Sequence, residues 1–253
     1  MRQSGAPIEA VKTLGPDGPA PVLLLCEHAS NAFPDAFGTL GLDAATRTSH
    51  AAWDPGALAL AARLSSAWSV PLVHGTVSRL VYDCNRPPDA PDAIPVKSEL
   101  HEIPGNRDLT EAARAARVAA VYTPFVAAVD AAVARAAPQA IVTIHSFTPV
   151  YFGKPRSVEI GILYDRDTQL ADALLSEDWG GREVRGNEPY GPQDGVTHSL
   201  KLHGVARGLP NAMIEVRNDL LDDPVSREAV FRLISRNLAH ALDRFGIGLE
   251  GAL

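Results

Sequence analysis

Apolar residues fall in short unbroken runs, separated by stretches with helical spacing. PVLLLCE (21–27) is one such run, with the continuous pattern of a strand buried on both faces, as in a parallel sheet. AIVTIHSF (140–147), VEIGILYD (158–165) and NAMIEVRNDLL (211–221) read the same way, and VPLVHGTV (70–77) and LVYD (80–83) read as shorter strands. DPGALALAARLSSAW (54–68) predicts a helix, with Asp54 a candidate N-cap and Pro55 at the first position. DLTEAARAARVAAVYTPFVAAVDAAVARAA (108–137) predicts a long Ala-rich helix, broken or kinked at Pro124. TQLADALLSE (168–177) and an amphipathic segment over 224–245 predict two more helices. CNRPPDAPDAIP (84–95) and GNEPYGPQDGVTHS (186–199) carry too much Pro and Gly for regular structure and read as loops. Residues 1–20, rich in Gly, Pro and Ala, read as an N-terminal arm or edge segment. Strands alternating with helices predict an α/β fold: one domain over 21–253, its mixed, mostly parallel sheet flanked by helices on both faces.

Composition narrows the class. The 253 residues are 46% hydrophobic and 21% charged, as in ordinary globular proteins. A net charge of −7 and a pI near 5.6 argue against a nucleic-acid partner, which needs a basic patch. One or two local arginines can still hold a small anion. Cys26 and Cys84 are the two cysteines; neither lies in a CxxC motif, so neither a thiolate metal site nor a disulfide framework is expected. MRQSGAPIEAVKTLGPDGPAP has no apolar core of signal-peptide length, and no stretch reads as approaching the roughly 18 apolar residues of a membrane span. The expectation is a cytoplasmic protein with no membrane partner; oligomeric state is left open.

Three apolar runs end in ionisable residues: Glu27-His28, His145-Ser146, and Glu215-Val216-Arg217-Asn218. In open α/β sheets ligands bind outside the carboxyl ends of strands, so residues far apart in sequence can meet there. Two histidines and a carboxylate form a common zinc set, with a fourth position left for water. His28 and His145 are the imidazole candidates, for Zn²⁺ or another divalent ion. Glu27 and Asp54 compete as the carboxylate. Successive strand residues point to opposite faces, which makes Glu27 awkward beside His28 and favours Asp54. Asp54 has a second reading, as a helix N-cap.

Glu215 reads as a general acid/base that takes a proton from water and passes it to a leaving amine; its alternative is an ion pair with Arg217 or another arginine. Arg79, Arg86 and Arg217 are candidates for a substrate carboxylate, which an arginine fork grips through two parallel hydrogen bonds. Ser146 and the loop residue His198 are candidate substrate contacts, and His50, four residues before Asp54, is a further site candidate. Ser146 has no G-x-S-x-G elbow, so a serine hydrolase is not expected. Cys26, inside an apolar run, reads as an inert buried thiol. Tyr151 and Tyr190 are candidate pocket walls.

CEHASN, HAAWDPGA, SRLVYDCNRPP, IHSFTPV, GNEPY and IEVRNDLL together resemble, in order and over residues 21–245, the N-formylglutamate amidohydrolase family. The resemblance implies a fold related to zinc carboxypeptidases and acylamino-acid deacylases. It also implies metal-dependent hydrolysis of N-formyl-L-glutamate to formate and glutamate, in histidine degradation. It supports His28, Asp54 and His145 as metal ligands and Glu215 as the acid/base. Asn85-Arg86 is similar to the Asn-Arg element with which zinc carboxypeptidases hold a terminal carboxylate. Arg79 and Arg217 fit further oxyanion or carboxylate contacts. The chain departs from the family where Cys26-Glu27-His28-Ala29-Ser30 replaces a Pro-His-Ser-Gly type block. That form resembles a broader branch acting on other N-acyl amino acids, so the acyl group and the amino acid stay open.

The expected substrate is therefore a small anionic N-acyl amino acid. A zinc carboxypeptidase or peptidoglycan amidase acting on a peptide would use the same metal set. A non-catalytic binding protein with this fold would be marked by loss of a ligand or of the glutamate, and no such position is missing.

Overall fold

The computed structural model describes residues 8–249, so the first seven residues of the expected arm lie outside the described residues. The apolar runs form most of a seven-stranded sheet: β1 (Val11–Leu14), β2 (Val22–Cys26), β3 (Leu72–Gly75), β4 (Ala140–Phe147), β5 (Ile160–Leu163), β6 (Val184–Gly186) and β7 (Asn211–Arg217). The spatial order is β1-β3-β2-β4-β7-β5-β6. β1 runs antiparallel to β3, and β5 antiparallel to β7; the other four pairings are parallel. The fold is the mixed, mostly parallel α/β sheet that the strand–helix alternation predicts. Part of the arm contributes its edge strand, β1.

The main helices are α1 (Ala57–Trp68), α2 (Glu111–Arg117), α3 (Thr123–Ala136), α4 (Gln169–Leu175) and α5 (Pro224–Asp243). They cover both faces of the sheet, which is why the central strands β2, β4 and β7 are buried at every position but Arg217. Val22, Leu24, Val142, Ile144, Ala212 and Ile214 pack against α1, α4 and α5. Leu23, Leu25, Val73 and Ile141 point the other way, toward Val121, Phe125, Val129 and Ala132 around α3. This alternation sorts the site residues. Counting in twos, His145 shares the α3-side face with Ile141, and Glu215 lies opposite the Ile214 face.

Three expectations need correction. LVYD (80–83) is not a strand but an irregular, buried segment. Its carbonyls are satisfied by side chains instead of a ladder: Asn106 Nδ2 donates to Leu80 O at 2.8 Å and Arg117 Nη1 to Val81 O at 3.0 Å. Asp54 does not cap α1; Gly56 stands at the N-cap with φ +82°, and the Asp54 side chain is left free for other partners. Finally, the helical stretch Glu111–Ala136 is long and apolar enough to span a membrane by length and composition, contrary to the sequence reading. Its apolarity is largely alanine. One side packs on the sheet through Phe125, Val129 and Ala132, while Arg114, Asp130 and Arg135 break the pattern. The expected break at Pro124 appears as a π-helical turn, Val118–Tyr122, between α2 and α3. Proline has no N–H to continue the α ladder, and the wider turn absorbs the gap.

Candidate active site

Three neighbouring parallel strands, β2, β4 and β7, deliver the ionisable residues to one edge. Glu215 stands directly abreast of His145 in the β7–β4 register. Glu27 and His28 follow β2 immediately. Gly75 on β3 lets the chains close up there, since a Cβ would lie 2.3 Å from the Glu27 carbonyl oxygen. The loop before α1 is tied to the same place, because the Asp54 N–H donates to His28 O at 2.9 Å.

His28, Asp54 and His145 are all buried, and one ligand atom from each lies within 4.8 Å of the other two. Asp54 Oδ2 is 2.9 Å from His145 Nδ1 and 3.4 Å from His28 Nδ1. The outer nitrogens are held by carboxylates: His145 Nε2 by Glu27 Oε2 at 2.9 Å, and His28 Nε2 by Asp83 Oδ1 at 2.7 Å. An outer carboxylate that fixes each ring and points the opposite nitrogen inward is the usual support for a metal-ligating histidine. Arg79 braces the far side, with Nη1 3.3 Å from Asp54 Oδ1 and Nη2 3.0 Å from Asp83 Oδ2.

The charge state follows from the partners. An ionised carboxylate only accepts hydrogen bonds. His145 lies within hydrogen-bond distance of a carboxylate at each nitrogen, an arrangement that favours the charged ring when no metal is bound and leaves Nδ1 as the ligand atom once a metal displaces its proton. Burial opposes that charge, but Glu27 and Asp54 raise the His145 pKa well above its ordinary value. Burial would raise the Glu27 carboxyl, yet the His145 charge and hydrogen bond hold it at about 2. Asp54, buried as well, is held well below the usual range by His28 and His145. Burial and Arg79 depress His28, but Asp83 and Asp54 outweigh them and its pKa is raised. Three buried carboxylates thus face two imidazoles, a set that suits a divalent cation. His28 Nδ1 is buried with no hydrogen-bond partner among the described residues, as an inward ligand atom would be. The donor set fits a zinc-type ion.

Glu215 behaves differently. Burial raises its carboxyl, and despite the opposing His145 charge its pKa stands at about 7. Its Oε2 is buried and has no hydrogen-bond partner among the described residues, and Arg217 pairs with Asp219 instead. A carboxyl poised near neutrality can both take and return a proton.

His28, Asp54, Arg79, His145 and Glu215 line a cavity of about 450 Å³, which also reaches His50, Ser146, Tyr151, Arg156 and Tyr190. The structure brings His28, Asp54, His145, Glu215, Arg79, Asn85, Arg86 and Ser146 to this one cavity. Several are already engaged. Asn85 pins the 186–199 loop, receiving the Ser199 N–H at 2.9 Å and donating to Val196 O at 2.5 Å. Arg86 is bonded to Asp92 and to the carbonyls of Asn85, Asp194 and Gly195. Ser146 Oγ donates to Pro55 O at 2.8 Å. His50 is paired with Glu99 at 2.8 Å.

Two candidates lie outside the cavity wall. Arg217 bridges to Asp219 and donates to the carbonyls of Arg156 and Ser157. His198 turns to Tyr122, 2.9 Å from its hydroxyl. Glu27 is placed behind His145 and does not line the cavity, which favours Asp54 as the inner carboxylate. Burial raises both Cys26 and Cys84 well above an ordinary thiol, so neither is poised as a nucleophile.

The sequence reading missed Asp83 and Arg156. Asp83 carried a signal: it ends an apolar segment, as Glu27 and Glu215 nearly do. Arg156, in a hairpin with no apolar run, carried none.

Comparison with known proteins fits this geometry. No curated protein matches the chain. A crystal structure of a gene product from Agrobacterium tumefaciens is similar at 50% identity, with a TM-score of 0.89, over 94% of this chain and 96% of that one. The crystal structure of N-formylglutamate amidohydrolase from Ralstonia eutropha shares the fold, with a TM-score of 0.58 at 19% identity, over 95% of this chain and 100% of that one. The family model described as N-formylglutamate amidohydrolase matches residues 20–221. The chain belongs to the N-formylglutamate amidohydrolase family.

Proposed function

We propose that this hydrolase cleaves the amide bond of a small anionic N-acyl amino acid, with N-formyl-L-glutamate the leading substrate, and depends on a divalent metal, zinc by donor set. The observation that carries the reading is that two buried atoms with no hydrogen-bond partner among the described residues, His28 Nδ1 and Glu215 Oε2, belong to residues that line the same cavity. His28, Asp54 and His145 would hold the ion, which when bound supplies Lewis acidity to the acyl carbonyl and acidity to a water. Glu27 and Asp83 fix the two imidazole rings. Glu215 takes a proton as water oxygen bonds to the acyl carbon, then returns it to the nitrogen as the C–N bond breaks. The products are a carboxylate (formate, for the formyl substrate) and the free amino acid.

A cavity of about 450 Å³ suits an acylated amino acid better than a polypeptide, which needs an open cleft. A cytoplasmic site of action and a place in histidine degradation go with this reading. The test is a panel: N-formyl-L-glutamate, N-acetyl-L-glutamate and a glutamyl dipeptide offered to the purified protein. Release of formate well above the rates for the other two supports the proposal. Preferential cleavage of the dipeptide moves the protein to the peptidase reading, and preference for the acetyl compound keeps the site and replaces the acyl group.

A further inference from the structure

Three arginines line the cavity, and they differ in what their guanidinium groups face. Arg79 lies against two carboxylates, Asp54 and Asp83. Arg86 pairs with Asp92 and three backbone carbonyls. Arg156 forms no ion pair among the described residues. Only its Nη1 is engaged, at 3.0 Å from Tyr190 Oη and 3.4 Å from Thr148 O. Its Nε and Nη2 have no hydrogen-bond acceptor among the described residues.

Aromatic rings surround this free fork. The guanidinium carbon lies 4.4 Å from the Tyr151 ring centroid, 4.7 Å from Tyr190 and 5.5 Å from Phe147. Stacked rings fix the plane of a guanidinium and exclude water from its faces, while leaving its edge to bond an anion. Phe147 stands two residues beyond His145 on β4, about 7 Å along the strand. Arg156 thus lines the same cavity as His28, Asp54, His145 and Glu215. Burial raises the Tyr190 phenol, which keeps its proton at neutral pH and can donate to the same anion.

The geometry points to Arg156, braced by Tyr190 and stacked on Tyr151, as the residue that receives a substrate carboxylate and selects anionic N-acyl amino acids. Arg86 instead holds the loop. For its substrate this inference rests on the amide-hydrolase reading; its binding test does not.

The experiment uses the full chain with zinc added, in wild type, Arg156→Met, Arg156→Lys and Tyr190→Phe forms. Glutarate binding is measured by calorimetry. Hydrolysis is measured on N-formyl-L-glutamate and its two mono-amides, N-formyl-L-glutamine and N-formyl-L-isoglutamine. Losing a charge-assisted pair raises the glutarate Kd about 10- to 100-fold in Arg156→Met, with partial recovery in Arg156→Lys and a smaller rise in Tyr190→Phe. KM for N-formyl-L-glutamate rises in step while kcat stays near wild type. One mono-amide, the one lacking the bound carboxylate, is hydrolysed equally by wild type and Arg156→Met. Equal glutarate binding by Arg156→Met and wild type overturns the assignment, as does absence of binding to wild type or an equal loss on all three substrates. If wild type hydrolyses none of them, the substrate proposal fails and the glutarate comparison still decides for or against Arg156.

Discussion

Glu27 Oε2 lies 2.9 Å from His145 Nε2, while Asp54 Oδ2 lies 2.9 Å from Nδ1 of the same ring. The two carboxylates divide the work: Glu27 orients the ring from behind, and Asp54 shares its inner side. Glu27→Gln keeps the shape and removes the charge that fixes the ring. Outer-sphere changes of this kind cost about 10- to 100-fold in metal affinity. Competition against a metallochromic chelator should show that loss with the fold intact by circular dichroism. An unchanged affinity would mean that His145 is not held for a metal.

Glu215 carries the proton in this account, so Glu215→Gln should lower kcat by at least about 100-fold with little change in KM. The same substitution should stabilise the metal-free protein. The carboxyl is protonated in the fold up to about pH 7 but only to its ordinary value, about 4.5, when unfolded. The folded state therefore binds the extra proton, and stability falls as pH rises from the lower value to the higher. The penalty is fully present above pH 7 and amounts to roughly 3 kcal/mol. Glu215→Gln should melt several degrees above wild type at pH 8 and level with it at pH 4, by calorimetry on metal-free protein.

Arg86 is bonded to Asp92 and to the carbonyls of residues 85, 194 and 195. Arg86→Met should therefore cost about 2–4 kcal/mol, or roughly 10 °C in melting temperature. KM should rise alike for charged and amide substrates, because what loosens is the 186–199 loop. A normal melting temperature with a loss confined to carboxylate-bearing substrates would move Arg86 onto the substrate.

The sheet was legible because burial on both faces writes itself as unbroken apolar runs at β2, β4 and β7. The site was legible for the same reason: a charge that ends such a run, as His28 and His145 do, sits at the sheet's carboxyl edge. LVYD (80–83) shows the limit, since burial alone does not make a strand. Its carbonyls are met by Asn106 and Arg117, partners 26 and 36 residues away that no local pattern announces. Arg217 and His198 were drawn off in the same way, by Asp219 and Tyr122. Which of several arginines stays free is decided by tertiary pairing, so Arg156 emerged only from the fold.

The central claim is that His28, Asp54 and His145 hold a metal that the hydrolysis requires. Its most direct test is formate release from N-formyl-L-glutamate by the protein as purified, after chelator treatment, and after zinc is restored, with Asp54→Asn beside it. The account predicts activity that is lost on stripping and regained with about one equivalent of zinc per chain in the wild type, but not in Asp54→Asn. Full activity in the stripped protein, with metal content confirmed as nil, would contradict it.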